Sequence, residues 1–183
     1  ERFILTIDGG GMRGIVPVVM LQTLEIKLRQ QGFKGDIAKA FDLIAGTSTG
    51  GLISLALTCP ANINKIEEYD GQTDLKELLN NYKTMGKIVF PQKTFTTLSF
   101  LASTKYPSYG IESQLMYWFG NTTLKESKVP TLVVSYDLSR GQLKLFKSYE
   151  ENNKLAWEVG RCTSAAPTYF SPYVTEEGVF VDG

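Results

Sequence analysis

Twice in its first fifty or so residues the chain runs a short strand-forming segment into a glycine-rich turn and then into an apolar helix. Few architectures accept that pattern. Phe3-Ile4-Leu5-Thr6-Ile7 gives way to Asp8-Gly9-Gly10-Gly11, and Phe41-Asp42-Leu43-Ile44-Ala45 gives way to Gly46-Thr47-Ser48-Thr49-Gly50-Gly51. A compact apolar run bounded by turn residues reads as a buried strand that delivers its carboxyl end to the turn. Beyond the first turn Val18, Leu21, Leu24 and Leu28 recur at helical spacing, with Pro17 near the start, where a helix tolerates proline. Beyond the second, Leu52 to Leu57 reads as a buried helix that Pro60 stops. Strands alternating with helices point to an α/β domain with a mainly parallel sheet.

The rest of the sequence extends this reading. Asp74 followed by Glu77 is a capping signal for a helix whose face carries Leu75, Leu78, Leu79 and Tyr82. Ile111, Leu115, Trp118 and Phe119 form another helical face, closed by Gly120. Leu132–Tyr136 and Leu143–Lys147 are expected strands; Leu155, Val159 and Cys162 fit a helix, and Val179-Phe180-Val181 is a last strand ending at Asp182-Gly183. Ala61–Thr73 reads as loop, and between Phe90 and Tyr109 periodicity is lost. At 183 residues the chain is expected to be a single domain.

Composition narrows the chemistry. Nineteen basic and nineteen acidic residues balance, which argues against nucleic-acid binding through a broad cationic face. Two cysteines, Cys59 and Cys162, do not make a disulfide scaffold, so a reducing compartment is expected. No apolar run reaches the ~18 residues of a membrane span. With a strand-like run starting at Phe3, no signal peptide is read and a cytoplasmic location is expected. There is no histidine. That absence removes His-ligated zinc and any Ser-His-Asp triad within this chain.

Gly46-Thr47-Ser48-Thr49-Gly50 is a GxSxG pentapeptide set between a strand and a buried helix, the context in which a sharp turn pushes a serine hydroxyl out at the carboxyl end of a sheet. Gly46 and Gly50 are the small residues such a turn needs. Asp8-Gly9-Gly10-Gly11-Met12-Arg13-Gly14 admits three readings. Gly9, Gly11 and Gly14 satisfy GxGxxG, a dinucleotide fingerprint, although Asp36 precedes the second strand where the fold wants an acid at its end. The loop also suits an oxyanion hole built from backbone amides, which the serine elbow favours. It can also be a tight turn with positive φ. A serine nucleophile needs a base, and here only a carboxylate is left to serve. Asp182 ends a buried strand, where desolvation raises a carboxyl pKa.

These motifs, in this order, resemble those of the patatin-like phospholipase family: a strand ending in DGGGxRG, a GxSxG elbow and a later DG motif, present here as Asp8–Gly14, Gly46–Gly50 and Asp182-Gly183. Cys162–Phe170 is also similar to the segment that precedes the family's aspartate. The resemblance spans essentially the whole chain. It implies a three-layer α/β/α fold, and a lipid acyl hydrolase in which Ser48 is the nucleophile and Asp182 its partner. By the same resemblance Gly9, Gly10 and Gly11 form the oxyanion hole, Arg13 steadies that loop, and Gly46, Gly50 and Gly183 support the turns. It implies no cofactor and no metal. Expected partners are a phospholipid or other acyl lipid and, peripherally, a membrane surface. Phe90, Phe95, Phe100, Tyr106, Tyr109, Tyr117, Trp118 and Phe119 are candidates for an acyl-chain groove or a mobile flap over Ser48, with core filling as the other reading. Lys144 and Lys147 are candidates for a headgroup contact or solvated strand lysines. Family members continue beyond their aspartate, so the domain is expected to be cut at its carboxyl end. A catalytically silent storage or scaffold protein with the same fold stays open as the alternative.

Overall fold

A computed structural model describes residues 1–60, 74–89, 106–150 and 154–183. Six strands form one sheet: β1 (Ile4–Ile7), β2 (Leu43–Thr47), β3 (Thr131–Asp137), β4 (Gln142–Lys147), β5 (Tyr173–Thr175) and β6 (Gly178–Asp182). Among the described residues five α-helices flank it: α1 (Ile15–Gln30), α2 (Thr49–Thr58), α3 (Leu75–Val89), α4 (Ser108–Phe119) and α5 (Ala156–Thr163). The sheet is mixed and mostly parallel. β1, β2 and β3 pair in parallel, while β4 and β6 each run antiparallel to β3 and β5 runs antiparallel to β6.

The register around β3 fixes where a site can form. β4 takes one edge of β3 from Leu132 to Asp137. The opposite edge is shared by two strands arriving from opposite directions. β2 covers it up to the pair Thr47↔Val134, and β6 covers it from the pair Asp182↔Ser135. The carboxyl ends of β2 and β6 therefore meet head-on, at adjacent residues of one strand.

The core centres on α2, which is buried along nearly its whole length. It packs against β1, β2, β3 and α5. Leu52, Ile53, Leu55 and Leu57 are all buried there, each side chain contributing about 1.5–3 kcal/mol relative to exposure. Its polar residues are satisfied along the helix: Ser54 Oγ donates to the Gly50 carbonyl at 2.8 Å, and Thr58 Oγ1 to the Ser54 carbonyl at 2.8 Å. Pro17 falls in the first turn of α1, where the amide it lacks has no intrahelical acceptor.

The expected strands and helices are present with shifted ends. The second strand starts two residues later than expected, at Leu43; Asp42 just before it still bonds Phe3, its amide donating to the Phe3 carbonyl at 2.7 Å and its carboxylate accepting the Phe3 amide at 2.6 Å. The short strand β5 was not anticipated; three residues carry too little alternation to read as a strand. The expected loop 61–73 and the stretch containing Phe90, Phe95 and Phe100 lie outside the described residues. No helix among the described residues is long and apolar enough to cross a membrane.

Candidate active site

Ser48 stands between β2 and α2 with φ 55° and ψ −128°. A non-glycine residue in that region costs on the order of 1–3 kcal/mol, held only because the surroundings over-determine it. Its neighbours show why they must be small. A Cβ on Gly46 would run into the Gly50 carbonyl, and one on Gly50 into the Ile7 carbonyl. One on Gly51 would lie 2.9 Å from Thr163 Cγ2. The glycines let the strand, the turn and the first turn of α2 stack directly on β1, and the serine is left standing at the sheet's carboxyl end.

Asp182 arrives from the other side. The shared edge of β3 brings it to Ser48, whose Oγ donates to Asp182 Oδ2 at 2.6 Å across 134 residues of sequence, the length expected of a hydroxyl bound to a carboxylate. Oδ1 is buried and, among the described residues, makes no hydrogen bond of normal geometry. Burial therefore pushes the Asp182 carboxyl above the ordinary carboxylate range, while the Ser48 hydroxyl and the Gly183 amide pull the other way. The strand end is tied down independently. The Asp182 amide donates to the Ala165 carbonyl at 3.1 Å. Ser135 Oγ shares its proton between the Val181 carbonyl (2.6 Å) and the Cys162 carbonyl (3.2 Å). Gly183 then passes Val134 so closely that an added Cβ would sit 2.9 Å from Val134 Cγ1 and 3.0 Å from its carbonyl carbon.

The glycine loop closes the third side. A Cβ on Gly9 would lie 2.9 Å from Ser48 Cβ and 3.6 Å from Ser48 Oγ, so this backbone passes directly beside the serine. Gly11 has φ 55° and begins a short 3-10 turn, Gly11–Gly14. The Gly10 and Gly11 amides precede that turn's first internal donor, the Arg13 amide, which bonds the Gly10 carbonyl at 3.1 Å. They are thus not used up by helix bonds. Two hydroxyls converge on the Gly11 carbonyl: Thr49 Oγ1 at 3.1 Å from α2, and Tyr82 Oη from α3. Tyr82 is buried, and burial raises its phenol pKa. The Arg13 side chain lies exposed beside Gly10 at the cleft's edge.

Ser48, Asp182, the Gly9–Gly11 loop, Thr49 and Tyr82 line one cleft of about 650 Å³. Its apolar wall includes Met12, Leu52, Tyr106, Ile111 and Phe170. Of the described aromatics expected to form a groove, only Tyr106 lines it, held between Tyr169 and Phe170 with ring centroids 6.3 and 6.0 Å away. Tyr109 and Tyr117 face solvent, Phe119 is buried in the core and Trp118 packs against that core. Lys147 is engaged by Glu150 at 2.6 Å, and Lys144 lies over the Phe146 ring. Asp36 has a structural role: it caps the short turn Ile37–Ala40 and pairs with Lys128 at 2.7 Å. Both cysteines are buried free thiols, raised by burial to about 11 for Cys59 and about 12 for Cys162.

The sequence reading found Ser48, Asp182 and the glycine loop, and the structure brings them together. It missed the groups that hold them. Tyr82 was read only as one member of a helix's apolar face, though a buried tyrosine hydroxyl needs a partner. Thr163, Ala165 and Phe170 lie inside Cys162–Phe170, a segment the resemblance marked without giving roles. Ser135 and Thr49 carried no sequence signal beyond a hydroxyl on a buried element.

An elbow serine at the end of a parallel strand, bound to a half-buried carboxylate beside a glycine loop, defines an α/β fold with a strand–turn–helix elbow. The chain belongs to the patatin-like phospholipase family, whose profile matches residues 5–183. It is 33% identical over 185 residues to Patatin-like protein 2 of Oryza sativa subsp. indica, covering 94% of this chain and 44% of the rice protein. To the cGAMP-activated phospholipase of Pseudomonas aeruginosa it is 32% identical over 188 residues, covering 98% of this chain and 51% of that protein. The chain spans about half the length of the curated relatives it matches. The crystal structure of VipD from Legionella pneumophila aligns with a TM-score of 0.52 at 14% identity, over 100% of this chain and 46% of VipD, a likeness of fold.

Proposed function

We propose that this chain carries the catalytic centre of a lipid acyl hydrolase that cleaves fatty-acyl esters of phospholipids or related lipids, with Ser48 as nucleophile and Asp182 as its base. The observation that carries the reading is the 2.6 Å bond between Ser48 Oγ and Asp182 Oδ2 at a cleft bordered by the glycine loop. The apolar wall and the phospholipase named among the relatives favour a lipid ester over a small polar one. Catalysis at a lipid aggregate then requires peripheral contact with its surface.

In this mechanism Ser48 Oγ attacks the ester carbonyl carbon while its proton passes to Asp182 Oδ2. The carbonyl oxygen becomes an oxyanion and is received by amides of the Gly9–Gly11 loop; a preorganised donor of this kind contributes about 2.7–4 kcal/mol. Collapse breaks the bond to the alcohol oxygen, and Asp182 returns its proton to that leaving group. Water then attacks the acyl-serine, giving its proton to Asp182; the acyl–Oγ bond breaks, the proton returns to Oγ and the fatty acid leaves. The raised carboxyl pKa suits this role, since a more basic carboxylate takes a proton more readily. Arg13, at the edge of the cleft, steadies the loop.

The test is fluorophosphonate labelling of the intact protein together with fatty-acid release from phosphatidylcholine vesicles, for wild type, Ser48→Ala and Asp182→Asn. Labelling and release in wild type, both lost in the two variants, is the expected result. A well-folded wild type that neither labels nor releases fatty acid overturns the reading and leaves a silent scaffold.

A further inference from the structure

The β2–β3 ladder ends at Thr47↔Val134. One residue on, Ser48 has turned out of the sheet, and its amide cannot reach a ladder carbonyl. A buried amide left without a partner costs about 1–3 kcal/mol. Here the gap is filled by a side chain from a distant helix. The Ser48 amide donates to Thr163 Oγ1 at 2.8 Å, and that hydroxyl donates onward to the Val134 carbonyl at 2.5 Å. A single hydroxyl thus stands in for the missing rung, accepting from one strand and donating to the other. Thr163 is fully buried, and its methyl meets α2 at Gly51, where a Cβ would come within 2.9 Å. A β-branched side chain is stiff at χ1, and with its methyl against Gly51 and its hydroxyl bonded at both ends the oxygen is aimed. Two residues on, the Ala165 carbonyl holds the Asp182 amide at 3.1 Å.

We propose that Thr163 is a positioning residue for the reaction: its hydroxyl anchors the backbone of Ser48 to β3, and with the Ala165 carbonyl it makes the end of α5 a bracket that sets Ser48 Oγ against Asp182. The inference rests on the reading of Ser48 as nucleophile. Thr163 does not line the cleft, so substrate binding is untouched by its loss and the effect falls on turnover. The chemistry of the bracket also tells the variants apart. Serine can accept the amide and donate to the carbonyl; alanine and valine can do neither.

The experiment measures kcat, KM and fluorophosphonate labelling rate across pH, in the intact protein, for wild type, Thr163→Ser, Thr163→Val and Thr163→Ala, with melting curves beside them. Displacing a reacting group by about an ångström costs on the order of 100-fold, so Thr163→Val and Thr163→Ala are expected to lose 10- to 100-fold in kcat at similar KM. Thr163→Ser is expected to stay within roughly threefold of wild type. The acid limb of the rate should also move to higher pH in the valine and alanine variants, because the Ser48 hydroxyl that lowers the Asp182 carboxyl pKa is no longer held against it. Equal labelling of wild type and a folded Thr163→Val, or Thr163→Ser as impaired as Thr163→Ala, overturns the role of Thr163 alone. So does a loss of rate with an unmoved acid limb, which marks a merely structural residue. A wild type that does not label overturns the reading of Ser48 and this inference with it. If the valine variant does not fold, serine against alanine makes the same comparison.

Discussion

The two halves of the Ser48–Asp182 pair are built by different means. Around Ser48 the turn itself is local, since Gly46, Gly50 and Gly51 flank it in sequence and each makes room by lacking a side chain, while the Thr163 hydroxyl clamps it from far along the chain. Around Asp182 nearly everything is distant. Its place depends on β6 pairing with the far half of β3, on Ser135, and on the end of α5 through Ala165. One half is a conformational solution written into a pentapeptide, the other a consequence of topology. Chemistry that needs both halves is accurate only where the two meet, along the shared edge of β3.

Substitutions that add one methyl to each half should separate them most strongly. Gly50→Ala drives its Cβ into the Ile7 carbonyl, rigid backbone under the first strand. It is expected to cost more than about 4 kcal/mol and leave little folded protein, as read by soluble yield and thermal melting. Gly183→Ala meets Val134 at 2.9–3.0 Å, close enough to force a shift of a few tenths of an ångström. Overpacking of this kind costs about 1–3 kcal/mol, so the fold should survive with a weakened site. Equal losses from the two variants would contradict the division drawn here.

Asp182→Asn keeps the shape and removes the proposed base, so the rate of ester cleavage should fall about 10²- to 10⁴-fold. Stability should move the other way. The folded pKa of Asp182 is raised, so its stabilising contribution is full below the unfolded pKa and is lost as pH rises through the folded one. At neutral pH the charged, partly unsatisfied carboxylate is a burden that asparagine lacks, and the variant should melt at or above the wild-type temperature. The wild-type rate follows the same titration: it should fall on acidification through a pKa above the ordinary carboxylate range, and a rate flat down to about pH 4 would sink the assignment of the base.

Smaller effects probe the loop that serves both halves. Tyr82→Phe removes one of the two hydroxyls on the Gly11 carbonyl while Thr49 keeps the other. Loss of one hydrogen bond, about 1–1.5 kcal/mol, predicts roughly a tenfold drop in kcat and little change in KM. Least of all is expected from the thiols. Cys59 and Cys162, both buried and with raised pKa, should resist alkylation at neutral pH while the protein is folded, and modification before unfolding would show the core opening on its own.

The same division explains what could be read from the residues. Strand, glycine turn and buried helix are short-range patterns, so β1, β2, α2, the elbow and the glycine loop were legible, as were the family and its fold. Asp182 was legible as a candidate for an indirect reason: with no histidine, a carboxylate after a buried strand drew attention as a possible base, and the structure sets it against Ser48. The positioning groups were not legible. A threonine at the end of α5 and a serine in the middle of β3 acquire meaning only when the register sets them beside a particular amide or carbonyl, and register is a property of the assembled sheet. Tyr106 lines the cleft, but Tyr109, Tyr117, Trp118 and Phe119 do not, because aromatics that cluster in sequence point to different sides of one helix.

The head-on meeting of β2 and β6 also bears on how such a molecule comes into being. Ser48 and Asp182 are separated by 134 residues, and the first is synthesised long before the second. Closing so long a loop is slow and entropically opposed until the strands between have paired. A nascent or half-folded chain can therefore carry the glycine turn before either the Thr163 clamp or the Asp182 carboxylate is beside it. On the proposed function, esterase activity would appear only once β6 has paired with β3, which makes activity a direct report of that pairing.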